Sequence, residues 1–198
     1  MFRQQERTYM EDIVLIGFGG HGKSVADAIE AGNKYRIYGY TDLQDNHNEY
    51  RYLGTDDVLK ELFTKGITRA FLCVGYIGKG ILREKLDSKL RALGFSFPII
   101  IDPTAVISKK VKIGEGTFVG KRAVINAEAI IGKQCIINTG AIVEHECKID
   151  DFAHVAVDAV LCGQVIIGKA ALIGANATVI QCREVKEREI VPAGAVVR

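Results

Sequence analysis

The chain lacks most of the features that would place it at a glance. No apolar run approaches the length of about 18 residues that a membrane-spanning helix needs. The formal charge is only +2, with 26 Lys and Arg against 24 Asp and Glu, so neither nucleic acid nor a membrane surface is expected as a partner. The polar stretch from Met1 to Met10 lacks the apolar centre of a secretory signal and is expected to be a loose tail, with Met10 an alternative start. Five cysteines (Cys73, Cys135, Cys147, Cys162 and Cys182) show no paired short spacing, which points to reduced thiols and a cytoplasmic protein. Histidine is scarce, and only His145 and His154 fall in the C-terminal half. A zinc-dependent hydratase built there needs three His ligands, so that class is set aside and no metal is expected. What remains is ordinary globular composition, 48% hydrophobic and 25% charged over 198 residues, enough for two small domains or one medium one.

What is present in abundance is a period of six. Every sixth residue from Ile107 to Val197 is Ile, Val or Leu, through sixteen positions. Two residues before each stands a small side chain, as at Ala105, Thr117, Ala123, Cys135, Ala141 and Cys147; Arg183 and Glu189 are the exceptions. One residue after it Gly, Asn or Asp recurs, as at Gly114, Asn126, Gly132 and Asn138. A helix repeats at 3.6 and a strand at 2, so six means short strands joined by fixed corners, a parallel β-helix. Three hexads close one triangular coil. The aliphatic points into the lumen, the small residue lets the corner pass close, and the Gly or Asn after the aliphatic is expected to supply positive φ. About five coils at about 4.8 Å each give a prism roughly 25 Å long. The charged last repeats are expected to form a widened corner or a cap.

Ahead of the repeats lies an α/β pattern. The strand Ile13 to Ile16 runs into Gly17-Phe18-Gly19-Gly20-His21-Gly22, a G-x-G-x-x-G loop, followed by a helix from Lys23 to Ala31 that Gly32 can end. A second strand spans Arg36 to Tyr40, and Asp42 follows 20 residues after Gly22, the offset of a ribose-binding acid. Gly54 to Asp57 reads as a corner with a helix cap before a helix to about Lys65. Arg69 to Val74 reads as a third strand, and 80–93 as a helix with Leu82, Leu86, Leu90 and Leu93 on one face. A glycine loop at a helix N-terminus suits a phosphate. About 85 residues are too few for a two-halved dinucleotide fold, so a mononucleotide or nucleotide-sugar fits better than NAD.

Within the repeats, His145 and His154 flank lumen positions without occupying them, so both are expected on the outer surface or at a corner. An imidazole there is a candidate general base, with Glu146 as its orienting carboxylate and Glu144 less well placed. Neighbours on a flat strand point apart, so the His145–Glu146 pair requires a bend. Cys162, at a corner before Gly163, is the one tempting nucleophile, but direct attack by a bound amine or hydroxyl fits better, with the Gly163 N–H as oxyanion donor.

These residues carry a resemblance. The chain is similar to the left-handed β-helix acyltransferases, and within them to the sialic-acid O-acetyltransferase and bacterial UDP-amino-sugar N-acetyltransferase group, from Ile13 to about Val197. The glycine loop, Tyr40-Thr41-Asp42, Asn138, His145-Glu146-Cys147, His154 and Leu161-Cys162-Gly163 match that group's signatures. The resemblance implies an α/β Rossmann-like domain over 11–98 and a left-handed parallel β-helix over 99–198. It implies acetyl-CoA as donor, a nucleotide-sugar acceptor held by Gly17, Gly19, Gly20, His21, Gly22 and Asp42, and a homotrimer with active sites between subunits. His145 would be the base and Glu146 its partner, with His154 near the thioester, the Gly163 amide facing the carbonyl oxygen, Gly174 and Ala175 flanking the pantetheine arm, and Asn138 lining the acceptor pocket. Transfer to an amine of a UDP-4-amino-sugar is the leading expectation and O-acetylation of a surface-glycan sugar the alternative. Val157-Asp158-Ala159 departs from the Pro-Gly-Ala of many relatives and is expected to change a corner.

Overall fold

A computed structural model describes residues 10–75 and 81–198, so all but Met10 of the tail expected from Met1 to Met10, and position 80 of the expected third helix, lie outside the described residues. Four parallel strands open the chain: β1 (Glu11–Ile16), β2 (Tyr35–Thr41), β3 (Tyr52–Gly54) and β4 (Arg69–Leu72), in the order β3-β2-β1-β4. Three helices accompany them, α1 (Gly20–Gly32), α2 (Leu59–Thr64) and α3 (Ile81–Ala92). Alternation along β1 sorts its side chains. Ile13 and Leu15 join α1 on one face, while Val14 and Ile16 join Leu59, Leu62, Leu86 and Leu90 on the other.

Several local expectations are corrected. Helix α1 begins at Gly20, inside the glycine loop, and its left-handed cap is Asn33 (φ 52°), whose N–H reaches the carbonyls of Ile29 and Glu30. The corner expected at Gly54 is the end of an extra edge strand, β3, and a short 3-10 turn Asp56–Val58 precedes α2. On α3, Leu82 is exposed, and the buried face carries Arg83 and Asp87 beside Leu86 and Leu90.

The remainder is a left-handed parallel β-helix of two-residue strands, from β5 (Ile100–Ile101) to β21 (Val196–Val197). It starts one hexad earlier than Ile107, because β5 already pairs with Phe118–Val119. Every third strand shares a face. The first face begins with β5, the second with β6 (Val106–Ile107) and the third with β7 (Lys112–Ile113). Each strand pairs with the one 18 residues on, as in Ile137↔Val155, Val143↔Leu161 and Ile149↔Ile167. Both the aliphatic and the small series line the lumen in one buried column, Cys135 and Cys147 included. Those two thiols donate to the carbonyls of Asp150 and Cys162, each at 3.1 Å.

The corners obey a different rule from the expected one. Positive φ falls three residues after the lumen aliphatic, at Arg122, Glu128, Gln134, Glu146, Gln164 and Cys182, all between 55° and 62°. Glycine directly after the aliphatic answers close approach instead: a Cβ on Gly114 or Gly132 would come within 2.5 Å of the next coil. The charged last repeats widen nothing, since Glu184, Ile190 and Val196 keep the same register and Arg183 and Glu189 are exposed. Asp158 likewise holds a regular corner (φ 53°), its N–H bonded to Thr139 O at 3.0 Å.

The α/β unit covers the first face. Ile100, Phe118 and Ile136, which point outward from the prism, are buried against Val25, Ala28, Ile29 and Phe71. Arg83 spans the same junction, donating to Val74 O at 2.7 Å and to Gln134 O at 2.9 Å, while the Gln134 amide donates to Asp87 at 2.8 Å.

A lumen side chain is sealed by the coils above and below, and an outward one is not. Ile137→Ala is expected to cost about 2–4 kcal/mol in urea unfolding, whereas exposed Ile166→Ala stays within about 0.5 kcal/mol.

Candidate active site

Three groups of the expected residues occupy three separate places. The first is the glycine loop. Gly17 takes φ 83° and donates to Thr41 O at 2.7 Å, which ties the loop to the end of β2. Gly22 packs so closely that a Cβ would sit 3.3 Å from Gly17 O, while Gly19 and Gly20 face open space. Asp42 secures the turn: its carboxylate accepts from Phe18 N at 2.8 Å, Leu43 N at 2.7 Å and Asn46 Nδ2 at 2.9 Å. Beside the loop, at the carboxyl ends of the strands, opens a cavity of about 630 Å³ lined by Gly17, Thr41, Asp42, Leu43, Thr55, Asp56 and Leu82, among others. Its position and size suit a small ligand, and Asp42, Asp56 and Asp57 make its polar lining acidic.

The second group lies where α1 meets the first face. His154, on β14 (His154–Val155), is buried at 9% exposure rather than on the surface as expected, because the α/β unit covers that face. Asn138 accepts from Thr139 N at 2.8 Å through Oδ1, which turns its amide nitrogen toward His154 Nε2 at 3.3 Å. His21 stacks edge-on to Phe118 at 5.2 Å, and its buried Nε2 has no hydrogen-bond partner among the described residues. Burial first, then the charges of Arg83 and His154, push its pKa down to about 3, so His21 is neutral.

The third group is a corner. Between β12 (Ile142–Val143) and β13 (Lys148–Ile149) the chain passes from the second face to the third, and the left-handed turn at Glu146 (φ 60°) supplies the bend that the His145–Glu146 pair requires. Nδ1 of His145 lies 3.1 Å from Glu146 Oε2. A carboxylate only accepts, so Nδ1 carries the proton and Nε2 is left with its lone pair. The His145 ring and, after it, the Gln164 amide hold the Glu146 carboxyl below the usual carboxylate range. Nε2 points at Gly163 on the next coil, where a Cβ would stand 2.5 Å away. The amides on either side of Gly163 are committed, Cys162 N to Val179 O and Gln164 N to His145 O. Among the described residues the Gly163 N–H itself finds no acceptor. A proton acceptor thus sits beside an uncommitted N–H donor, the pair that acyl transfer needs.

Within one chain these groups do not converge. Asn138, Gly174 and Ala175 lie on the edge between the first and second faces, while His145, Glu146 and Gly163 lie on the edge between the second and third. Glu144 bonds Asn126 Nδ2 at 2.9 Å, and Cys162 is half-buried. The sequence reading missed Gln164, although it occupies the corner slot 18 residues after Glu146, and the period alone points to it.

A family model described as the PglD N-terminal domain matches residues 12–90, and one described as a hexapeptide repeat of succinyl-transferase matches 110–145 and 164–197. A histidine-to-asparagine mutant of perosamine N-acetyltransferase from Caulobacter crescentus, in complex with CoA and GDP-perosamine, superposes with a TM-score of 0.88 at 35% identity, over 94% of this chain and 88% of that one. The acetyltransferase domain of PglB from Neisseria gonorrhoeae, in complex with acetyl coenzyme A, gives 0.87 at 30% identity over 95% and 93%. UDP-N-acetylbacillosamine N-acetyltransferase of Bacillus subtilis is 33% identical over 115 residues, 56% of this chain and 51% of that protein, so the match spans about half of that relative's length.

Two outcomes follow from the geometry. The backbone at Gly163 is compatible with any residue, so Gly163→Ala is expected to fold with unchanged thermal stability but to show a displaced His145 ring in its crystal structure. His21 titrates near 6.5 when unfolded and near 3 when folded. Between those values the unfolded chain binds the extra proton, so stability is full above pH 6.5 and falls as pH drops. The loss is expected to reach about 1.4 kcal/mol per pH unit, and in paired urea titrations from pH 7 to 5 His21→Gln is expected to remove that component.

Proposed function

We propose, since the chain belongs to the hexapeptide-repeat left-handed β-helix acyltransferases related to the nucleotide-sugar N-acetyltransferases, that it moves the acetyl group of acetyl-CoA to the amine of a nucleotide-linked amino sugar. The observation that carries this is the His145 corner: Nε2 free, Nδ1 held by Glu146, and the Gly163 N–H uncommitted beside it. The neutral amine attacks the thioester carbonyl while Nε2 takes its proton. Glu146 stabilises the imidazolium that forms, and the Gly163 N–H donates to the carbonyl oxygen as it gains charge. Collapse of the tetrahedral intermediate expels the CoA sulfur, which takes the proton back from Nε2, so the imidazole ends as it began. A positioned base contributes about 10²–10⁴ in rate and an oxyanion donor about 10²–10³. The glycine loop and the cavity beside Asp42 would take the nucleotide, with His21, Asn138 and His154 lining the sugar's path, His154 on the thioester side.

The working unit in this reading is a homotrimer. Its support is the second face, whose outward side chains are Val106, Val124, Ile142, Val160, Thr178 and Val196, a stripe with no charge and with Val106 and Val196 more than half exposed. The His145 edge bounds that face on one side and the Asn138–Gly174–Ala175 edge on the other. A three-fold packing about it would set one chain's base against a neighbour's pantetheine groove. A cytoplasmic setting belongs to the same reading, supported by five free cysteines. Among the described residues no helix is long and apolar enough to cross a membrane.

Thiol release from acetyl-CoA, run against GDP-perosamine, UDP-4-amino-sugars and sialic acid with the product's acetyl position determined, tests the reaction. N-acetylation that falls about 10²–10⁴-fold in His145→Ala is expected; an acetyl on oxygen, or a rate indifferent to His145, contradicts it. For the assembly, Ile142→Glu is expected to yield folded monomers by light scattering that no longer transfer acetyl.

A further inference from the structure

The left-handed corner slot repeats every coil. Glu128, Glu146, Gln164 and Cys182 occupy it in four successive turns, 18 residues apart, with φ between 58° and 62°. Parallel pairing at that spacing stacks the four side chains along one edge of the prism. Three of them form a line of hydrogen bonds. The Cys182 thiol donates to Gln164 Oε1 at 3.3 Å, Gln164 Nε2 donates to Glu146 Oε2 at 3.1 Å, and the same Oε2 receives Nδ1 of His145 at 3.1 Å. A glutamine amide has an accepting and a donating end. The thiol on the accepting end turns the donating end toward the carboxylate.

We infer that Gln164 is a positioning residue for acetyl transfer: it pins the Glu146 carboxylate on Nδ1 of His145, and so fixes the tautomer and the aim of Nε2 at Gly163. The inference rests on the reading of His145 as the base. Both His145 and Glu146 are about half exposed, at 55% and 50%. A solvated contact of that kind holds its geometry weakly, because two mobile side chains must be ordered for one exposed hydrogen bond. A second donor on the same carboxylate oxygen removes most of that freedom. The other groups facing the imidazole are accounted for. Glu144 Oε2 takes the His145 backbone N–H at 3.3 Å, Glu128 on the preceding coil is paired with Lys110 at 3.1 Å, and Cys162 and Cys182 lie on the coils that follow. Gln164 is thus a neutral donor to the Glu146 carboxylate, and replacing it alters the anchoring of Glu146 without touching acetyl-CoA or sugar in the proposed mechanism.

Two variants suit the corner. Gln164→Gly removes the amide where positive φ costs glycine nothing, and Gln164→Glu places in this slot a residue the slot already holds at Glu128 and Glu146. The nitrogen that carries the proton on the neutral His145 ring is read from its ¹⁵N shifts by NMR in the full protein, the resonances identified by their loss in His145→Ala. Wild type is expected to hold the proton on Nδ1, against Glu146. Gln164→Gly and Gln164→Glu both lack the amide donor and are expected to move the shifts toward the Nε2–H form as Glu146 drifts away. With acetyl-CoA and GDP-perosamine, Gln164→Gly is expected to reduce kcat about tenfold with both KM values within about twofold, the pattern of a lost orienting contact. Coincident His145 ring shifts in wild type and both variants overturn the inference, as does a loss of melting temperature with no movement of those shifts. Should His145→Ala still transfer acetyl, the general-base reading fails while the ring shifts still decide what Gln164 does.

Discussion

Parallel pairing at a fixed offset of 18 residues is the constraint on which the rest of this molecule depends. It seals the lumen, because an aliphatic such as Val143 is closed above and below by Ile125 and Leu161. It also turns sequence distance into position. Any two residues 18 apart lie one coil apart on the same edge, so His145 must face Gly163 and Glu146 must face Gln164. The strands are two residues long and the corners four, so little slack exists in which a side chain can wander. The site inherits its rigidity from a column whose stability is additive along its length.

The second constraint is the junction between the column and the α/β unit. Apolar contact through Phe118 and Ile136 supplies the area, and Arg83 supplies direction. A buried guanidinium is costly to desolvate; here its two terminal nitrogens reach carbonyls just past the end of β4 and on the Gln134 corner, while Nε finds no acceptor among the described residues. The glycine loop and cavity are thereby held at a set angle to the first face. The same burial keeps His21 neutral beside His154.

How much of this was legible in the sequence follows from how local each feature is. The hexad was plain because a triangular lumen reads out as a one-dimensional period, and the glycine loop because its spacing is a local necessity. The placement of His145 and Glu146 in a bend was legible for the same reason. Features that depend on what packs against a surface were hidden. His154 read as exposed because nothing in its own hexad says that α1 will cover the first face. Leu82 read as core because leucine spacing ignores the polar partners that draw Arg83 and Asp87 inward. The glycines directly after the aliphatic read as positive-φ positions but answer close approach, a distinction that rests on interatomic distance between coils. Edge strand β3 is three residues long and carries almost no periodic signal.

The catalytic account reduces to one spatial claim: the thioester carbonyl lies at the corner where His145 Nε2 and the Gly163 N–H meet. The most direct measurement is a crystal structure of the protein with a non-hydrolysable acetyl-CoA analogue bound. The account requires the carbonyl oxygen at about 3 Å from Gly163 N, with His145 Nε2 beside the carbonyl carbon and a neighbouring chain closing the groove. An analogue whose carbonyl sits on the Asn138 edge of a single chain, away from Gly163, contradicts it.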